Sequence, residues 1–205
     1  VVQTVNAYLM PALVAAFAAQ YPHIGLHVEE LTADEIEQRL DLGSLQVGIG
    51  FTPPTHPQVG CEALFVERLA LVVRSDHHFA GQYSIATAAL HEMPMIMLAK
   101  TFCTRRLWEE NARLIGVQPR VVLEMNTVSG ILSAVAKTGL PTILPHLVLK
   151  EAPSDALVSL DLHSPTLSRQ VGLLWHGEYT LCSASRAFLD LARQLAAAFS
   201  AMRDA

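Results

Sequence analysis

Residues 121–145, VVLEMNTVSGILSAVAKTGLPTILP, admit few folds. Val121, Val122 and Leu123 form a short apolar run that reads as a buried parallel strand. Asn126 and Thr127 follow with side-chain oxygens suited to the orphan N–H groups of a helix start. Val128, Ile131, Leu132 and Val135 recur at helical spacing, so one face of that helix is apolar. Gly139 tolerates the positive φ that ends it, and Thr142, Ile143 and Leu144 read as a second strand closed by Pro145. Strand, helix and strand of this length make a βαβ unit, with the helix entrance at the carboxyl end of the first strand. Open α/β sheets bind small ligands at that end, and a helix entrance favours anions.

The rest of the chain repeats this grammar. Val1 to Gln3 read as the end of a strand, Thr4 to Ala7 as a polar turn, and Tyr8 to Gln20 as a helix with Pro11 in its first turn. Ile24, Leu26 and Val28 alternate with polar residues or glycine, the period of a strand. Thr32-Ala-Asp-Glu35 is a capping box opening a helix that Gly43 closes, and Leu45 to Phe51 read as the next strand. After a proline-rich loop, Val66 to Arg74 read as a strand long enough to begin in one lobe and end in another. Ile85 to His91 read as a short helix and Met95 to Leu98 as a buried strand. Lys100 to Thr104 then form a loop whose Thr104 caps a helix to Ile115. Strands over 157–162 and 171–175 precede a last helix. Ser183 caps it, and Phe188, Leu191, Leu195 and Phe199 share one stripe. The pattern is α/β, in two Rossmann-like lobes joined by crossover strands near Leu71 and Leu173. Residues 1–71 with 174–205 form the first lobe and 72–173 the second, and the carboxyl-end loops of both are expected to face one cleft.

Composition narrows the function classes. The apolar fraction of 51% against 16% charged excludes a disordered chain. The formal charge of −5 argues against this segment gripping a phosphate backbone by itself. No apolar run is long enough to span a bilayer, and nothing resembles a signal peptide. The sequence opens without Met inside an apolar run and reads as a piece of a longer protein. Three widely spaced cysteines, Cys61, Cys103 and Cys182, fit a reducing compartment, so a cytoplasmic location is expected.

The motifs of catalysis are missing. Gly48-Ile-Gly50 lacks the third glycine of a dinucleotide fingerprint, and no nucleotide, serine-hydrolase or zinc-protease motif is present. His77-His78 lie in a polar turn and read as solvated surface, so no metal is expected. Cys103 stands beside Arg105 near a helix start, which would lower a thiol pKa. The plainer reading, a small incidental cysteine, is preferred. Neither a cofactor nor a catalytic residue is expected. The better signal is a set of polar side chains at helix entrances after strands: Thr4 and Asn6, Thr32, Thr101 and Thr104, and Asn126 and Thr127, with Lys100 as a possible cation. Singly, each is an ordinary cap worth about 1 kcal/mol of stability. Grouped around one cleft, they would hold a small polar or anionic ligand.

These stretches resemble a known family. Leu9-Met-Pro11 through Phe17, Gln20 to Ile24, Leu40 to Gly48, Leu69 to Arg74, Gly139 to Pro145 and the Phe188 helix are similar, in order and spacing, to the effector-binding domain of LysR-type transcriptional regulators. Within that family, Phe102 to Arg105 and Glu124 to Thr127 look like the cyanate-responsive activators. One departure is Gln46-Val47, where the family usually has an Asp after the strand's first residue. The resemblance implies a periplasmic-binding-protein type II-like fold and a small effector, contacted by Thr4, Thr32, Lys100, Thr101, Phe102, Thr104, Asn126 and Thr127. It further implies an amino-terminal winged helix-turn-helix, absent from this sequence, that carries promoter DNA binding. It also implies homodimers or homotetramers, with Tyr8 to Gln20 and the Arg39 helix as candidate contact surfaces. The alternative is a solute-binding protein of a transporter, and an enzyme using Cys103 or a His–Glu pair has no motif behind it.

Overall fold

The computed structural model describes residues 1–149 and 155–201, with side chains through residue 197. The chain divides into two compact units, Val1–Val66 with Arg169–Ala205, and Glu67–Ser168. The crossings lie ahead of Leu71 and Leu173, because the strands that carry them are longer than their apolar runs. Strand β2 runs Val59–Arg74 and β8 runs Ser168–His176.

In the first unit, Val2 makes a parallel bridge with Leu31 and donates its N–H to the Ile49 carbonyl. Residues 3–8 are helical, not a turn: α1 spans Gln3–Tyr8 and α2 spans Met10–Gln20 with Pro11 in its first turn. Pro11 is tolerated there because an N–H at that position has no helical partner to lose. The strand expected over Ile24–Val28 is not formed. A strand needs a ladder partner, and the ladder bonds here reach only Glu29 and Leu31, through Val1. Ile24, Leu26 and Val28 are consequently exposed. Helix α3 (Ala33–Asp41) opens on the expected box: Glu35 N–H donates to Thr32 Oγ1 and Thr32 N–H to the Glu35 carboxylate. Strand β1 (Gly48–Thr52) pairs antiparallel with β8, whose other neighbour is β2. The last helix, α6 (Ser183–Ala201), is capped by Cys182 and not by Ser183, since the Cys182 sulfur accepts the Ser185 N–H. Phe188 and Leu191 are buried on its inner side and Leu195 partly so, while Phe199 falls outside the described side chains.

The second unit is a six-strand arrangement. Its order is β3 (Ser84–Ala86), β7 (Leu157–His163), β2, β6 (Thr142–Pro145), β4 (Pro94–Leu98) and β5 (Arg120–Met125). Strand β4 is parallel to both β5 and β6. Helix α4 (Cys103–Leu114) carries β4 to β5, and α5 (Val128–Thr138) carries β5 back to β6 on the other side of β4. Residues 87–90 form a 3-10 turn where a short helix was expected to run to His91. Helix α4 packs through Thr104, Trp108 and Ala112, spaced four apart, and α5 through Val128, Ile131 and Val135. Leu69, Leu71, Met95, Met97, Ile143 and Leu160 close the core between them.

One expectation fails in a useful way. Val121, Val122 and Leu123 form the predicted parallel strand, yet they are 38, 46 and 41% exposed. β5 ends the sheet, so one side of its ladder has no neighbour among the described strands.

Candidate functional site

The carboxyl ends of β4 and β5 are adjacent because the strands pair in parallel, Leu98 opposite Met125. Ala99 N–H donates to the Met125 carbonyl at 2.9 Å, which ties the loop holding Lys100, Thr101 and Phe102 to the turn holding Asn126 and Thr127. Helix α4 leaves β4 toward β5, and α5 leaves β5 to return past β4 to β6, so both helix entrances lie at the carboxyl end of these strands, the end at which open α/β sheets bind ligands. Lys100, Thr101, Asn126 and Thr127 are exposed there, and Phe102 is half-buried.

Both helix entrances in this unit differ from expectation. Phe102 caps α4 with its carbonyl, which accepts from Arg105 and Arg106 N–H. Thr104 lies one residue inside the helix and is buried, because its face of α4 packs on the core. Thr127 does occupy the cap position of α5, but its side chain does not close the helix start with a hydrogen bond. The first helical bond runs from Ile131 N–H to the Thr127 carbonyl, so the amides of Val128, Ser129 and Gly130 have no helical acceptor. Gly130 lets the Thr127 hydroxyl sit close, since a Cβ there would come within 2.5 Å of Oγ1.

Arg105 is the fixed charge of this region. Its guanidinium is 4% exposed and donates to the Leu98 carbonyl at 2.9 Å and to Glu109 at 2.6 and 2.8 Å, with Glu124 3.5 Å away. It therefore braces the β4 terminus. The guanidinium near Cys103 is that of Arg106, 3.6 Å from the sulfur.

In the first unit the three expected residues separate by chemistry. Thr32 Oγ1 is taken up by the capping box, donating to the Glu35 carboxylate at 2.8 Å while accepting the Glu35 N–H. Those bonds to Thr32 also hold the Glu35 carboxyl below its usual range. Asn6 donates to Glu30 at 2.8 Å. Thr4 is buried, and its hydroxyl accepts from Arg169 at 2.9 Å. Arg169 was not singled out in the sequence. It enters β8 half-buried, with its guanidinium carbon 3.8 Å from the centre of the Phe51 ring. Stacking on a ring face directs the N–H groups of a guanidinium into its own plane, where one of them meets Thr4. Thr52, next along β1, has a buried hydroxyl with no protein partner. A basic residue opening a strand gives no periodic signal, so only the pairing of β8 with β1 brings Arg169 to Thr4. Among the described residues no group of three or more His, Cys, Asp or Glu could hold a metal ion.

The sequence profile of the LysR substrate binding domain matches residues 1–197. The chain belongs to this family. It is thus the effector-binding part of a LysR-type regulator and not the solute-binding protein of a transporter. It is 28% identical over 191 residues to the RuBisCO operon transcriptional regulator of Allochromatium vinosum, covering 93% of this chain and 63% of that protein. It is 25% identical over 198 residues to a probable nitrogen assimilation transcriptional activator of Synechococcus elongatus, covering 95% and 64%. The chain therefore spans under two thirds of the length of these relatives. Its fold matches that of the Synechocystis PCC6803 CcmR regulatory domain in complex with 2-PG, with a TM-score of 0.85 at 23% identity, covering 95% of this chain and 94% of that one. The LysR effector-binding domain thus has the two-unit α/β, periplasmic-binding-protein type II-like fold expected from its sequence. No helix of its described residues is long and apolar enough to cross a membrane.

Proposed function

We propose that this domain senses a small anionic effector, and that the guanidinium of Arg169, positioned by Thr4 and Phe51, is its principal anion contact. The single observation behind this reading is that half-buried cation, hydrogen-bonded to a buried threonine and stacked on an aromatic ring. In the second unit, taken by itself, the α5 entrance, with Thr127, Asn126 and Thr101, is proposed as a position for an acceptor group. Lys100 and Phe102 are proposed as flanking contacts. Asn6, Thr32 and Thr104 are proposed as supports of the fold around these positions, since each is already bonded or buried. CcmR, the neighbour in fold, was solved with 2-PG, which supports a small effector. The cyanate-responsive likeness of residues 102–105 and 124–127 finds no support in relatives named for RuBisCO and nitrogen regulation. Cyanate therefore enters only as one probe among several.

In the whole protein, an amino-terminal winged helix-turn-helix would bind promoter DNA in the cytoplasm, in a homodimer or homotetramer. The effector would act by preferring one arrangement of the assembly, since equal affinity for two arrangements shifts nothing. No catalytic role is proposed. A thermal-shift panel of 2-PG, inorganic phosphate, small dicarboxylates and cyanate tests the sensor reading. At least one anion should raise the melting temperature of the wild-type domain. The rise should disappear in Arg169→Gln and shrink in Thr4→Val and Thr127→Val. A rise that survives Arg169→Gln would remove that residue from the site.

A further inference from the structure

A cavity of about 430 Å³ opens in the Glu67–Ser168 unit at the end of the sheet opposite to Lys100 and Thr127. Its walls include His77, Phe79, His91, Glu92, Leu140 and Pro141. Pro94, which also lines it, begins β4, and Gly139 ends α5, so the two elements that carry the effector-end residues close this cavity with their other ends. Its size is that of a small-molecule site.

The chemistry of the walls is specific. Phe79 N–H donates to His77 Nδ1 at 3.3 Å, and Gln118 N–H donates to His91 Nδ1 at 3.2 Å. An imidazole whose Nδ1 accepts keeps its proton on Nε2, so each ring presents one N–H donor. The His77 ring loses its proton more readily than a free imidazole. Burial, chiefly, pushes its pKa below the usual value, and His78 and Arg74 push it further, against Asp76. The His78 ring lies 3.9 Å from that of Phe79, centre to centre and tilted by 47°, so the wall presents aromatic faces to the cavity. Among the described residues of the wall, Glu92 alone carries a carboxylate, and its backbone φ of +56° favours glycine. A non-glycine residue held there on a cavity wall points to use of its side chain. The Glu92 carboxylate on the wall disfavours an anionic ligand.

We propose that this cavity is a second small-molecule site, taking a flat, uncharged phenol whose hydroxyl accepts from an imidazole N–H and donates to the Glu92 carboxylate. The ring of the ligand lies against the His–Phe wall, with Met93, Leu140 and Pro141 excluding water beneath it. This site shares no residue with the Arg169 and Thr127 positions.

The test is titration of the whole domain with 2-naphthol, read by the 1H–13C NMR signals of the histidine rings. Saturable shifts of the His77 and His91 signals are expected. Glu92→Gln should weaken binding about tenfold, the worth of a hydrogen bond to a charged group. Glu92→Gly should weaken binding similarly while keeping or raising the melting temperature, because glycine relieves the backbone. A purely structural Glu92 would move stability alone. Arg169→Gln and Thr127→Val should leave the titration unchanged, which separates this site from the effector positions. Absence of saturable shifts, insensitivity to Glu92→Gln, or tighter binding of 2-naphthoate than of 2-naphthol would overturn the proposal.

Discussion

The decisive residues earn their roles through partners far away in sequence. Arg169 is legible only beside Thr4, and Arg193 only beside Glu62, where the guanidinium makes bonds of 2.7, 2.9 and 3.1 Å to one carboxylate. Hydrogen bonding to Arg193 holds the Glu62 carboxyl below its ordinary value of 4.5. The folded state therefore binds protons less readily than the unfolded chain. The contribution of the pair is complete above about pH 4.5 and fades as pH falls through the lowered value. Both side chains are about two-fifths exposed, so solvent screening limits the effect to under about 1 kcal/mol. Urea unfolding of Arg193→Gln should show a loss of that size at pH 6 that narrows at pH 3.5. A loss independent of pH would assign the role of Arg193 to packing.

At the scale of elements, most of the order could be read from periodicity and punctuation. Thr32-Ala-Asp-Glu35 formed its box, and Gly43 and Gly139 stand at φ of 68 and 74° just where helices end. What failed was burial and exact entrance. The apolar run Val121–Leu123 could not say whether its strand is central or at an edge, because sheet order depends on where other strands land. Thr104 was a chemically sound cap, but burial of the Thr104–Trp108–Ala112 face puts the cap of α4 two residues earlier, at Phe102. Ile24–Val28 carried strand alternation without a ladder to join. Strand β8 shows the opposite case, a constraint with no pattern to announce it. A Cβ at Gly172 would come within 2.5 Å of the Glu62 carbonyl oxygen on the neighbouring strand. Gly172→Ala must therefore separate β8 from β2, at a cost of roughly 2 kcal/mol. Chemical denaturation should show it, and an unchanged midpoint would mean that the strands part more easily than their spacing indicates.

At the scale of the molecule, family membership and the two-unit α/β architecture agree with the sequence reading. Exposed apolar side chains lie along β5, with Leu114 and Ile115 exposed at the end of α4. The outer side of α2, by contrast, is lined by small alanines. We propose the β5 edge as a further candidate surface for self-association. Val122→Lys should lower the assembled fraction in light scattering and shift unfolding by no more than about 0.5 kcal/mol. An undiminished assembly would place the interface elsewhere.

The central claim is that a guanidinium seated on Thr4 and Phe51 captures an anionic effector. Calorimetric titration of wild type and Arg169→Gln with the best-stabilising anion of the panel measures it most directly. The account predicts at least about a tenfold loss of affinity, with the circular dichroism spectrum unchanged. Equal affinity in the two proteins would contradict it.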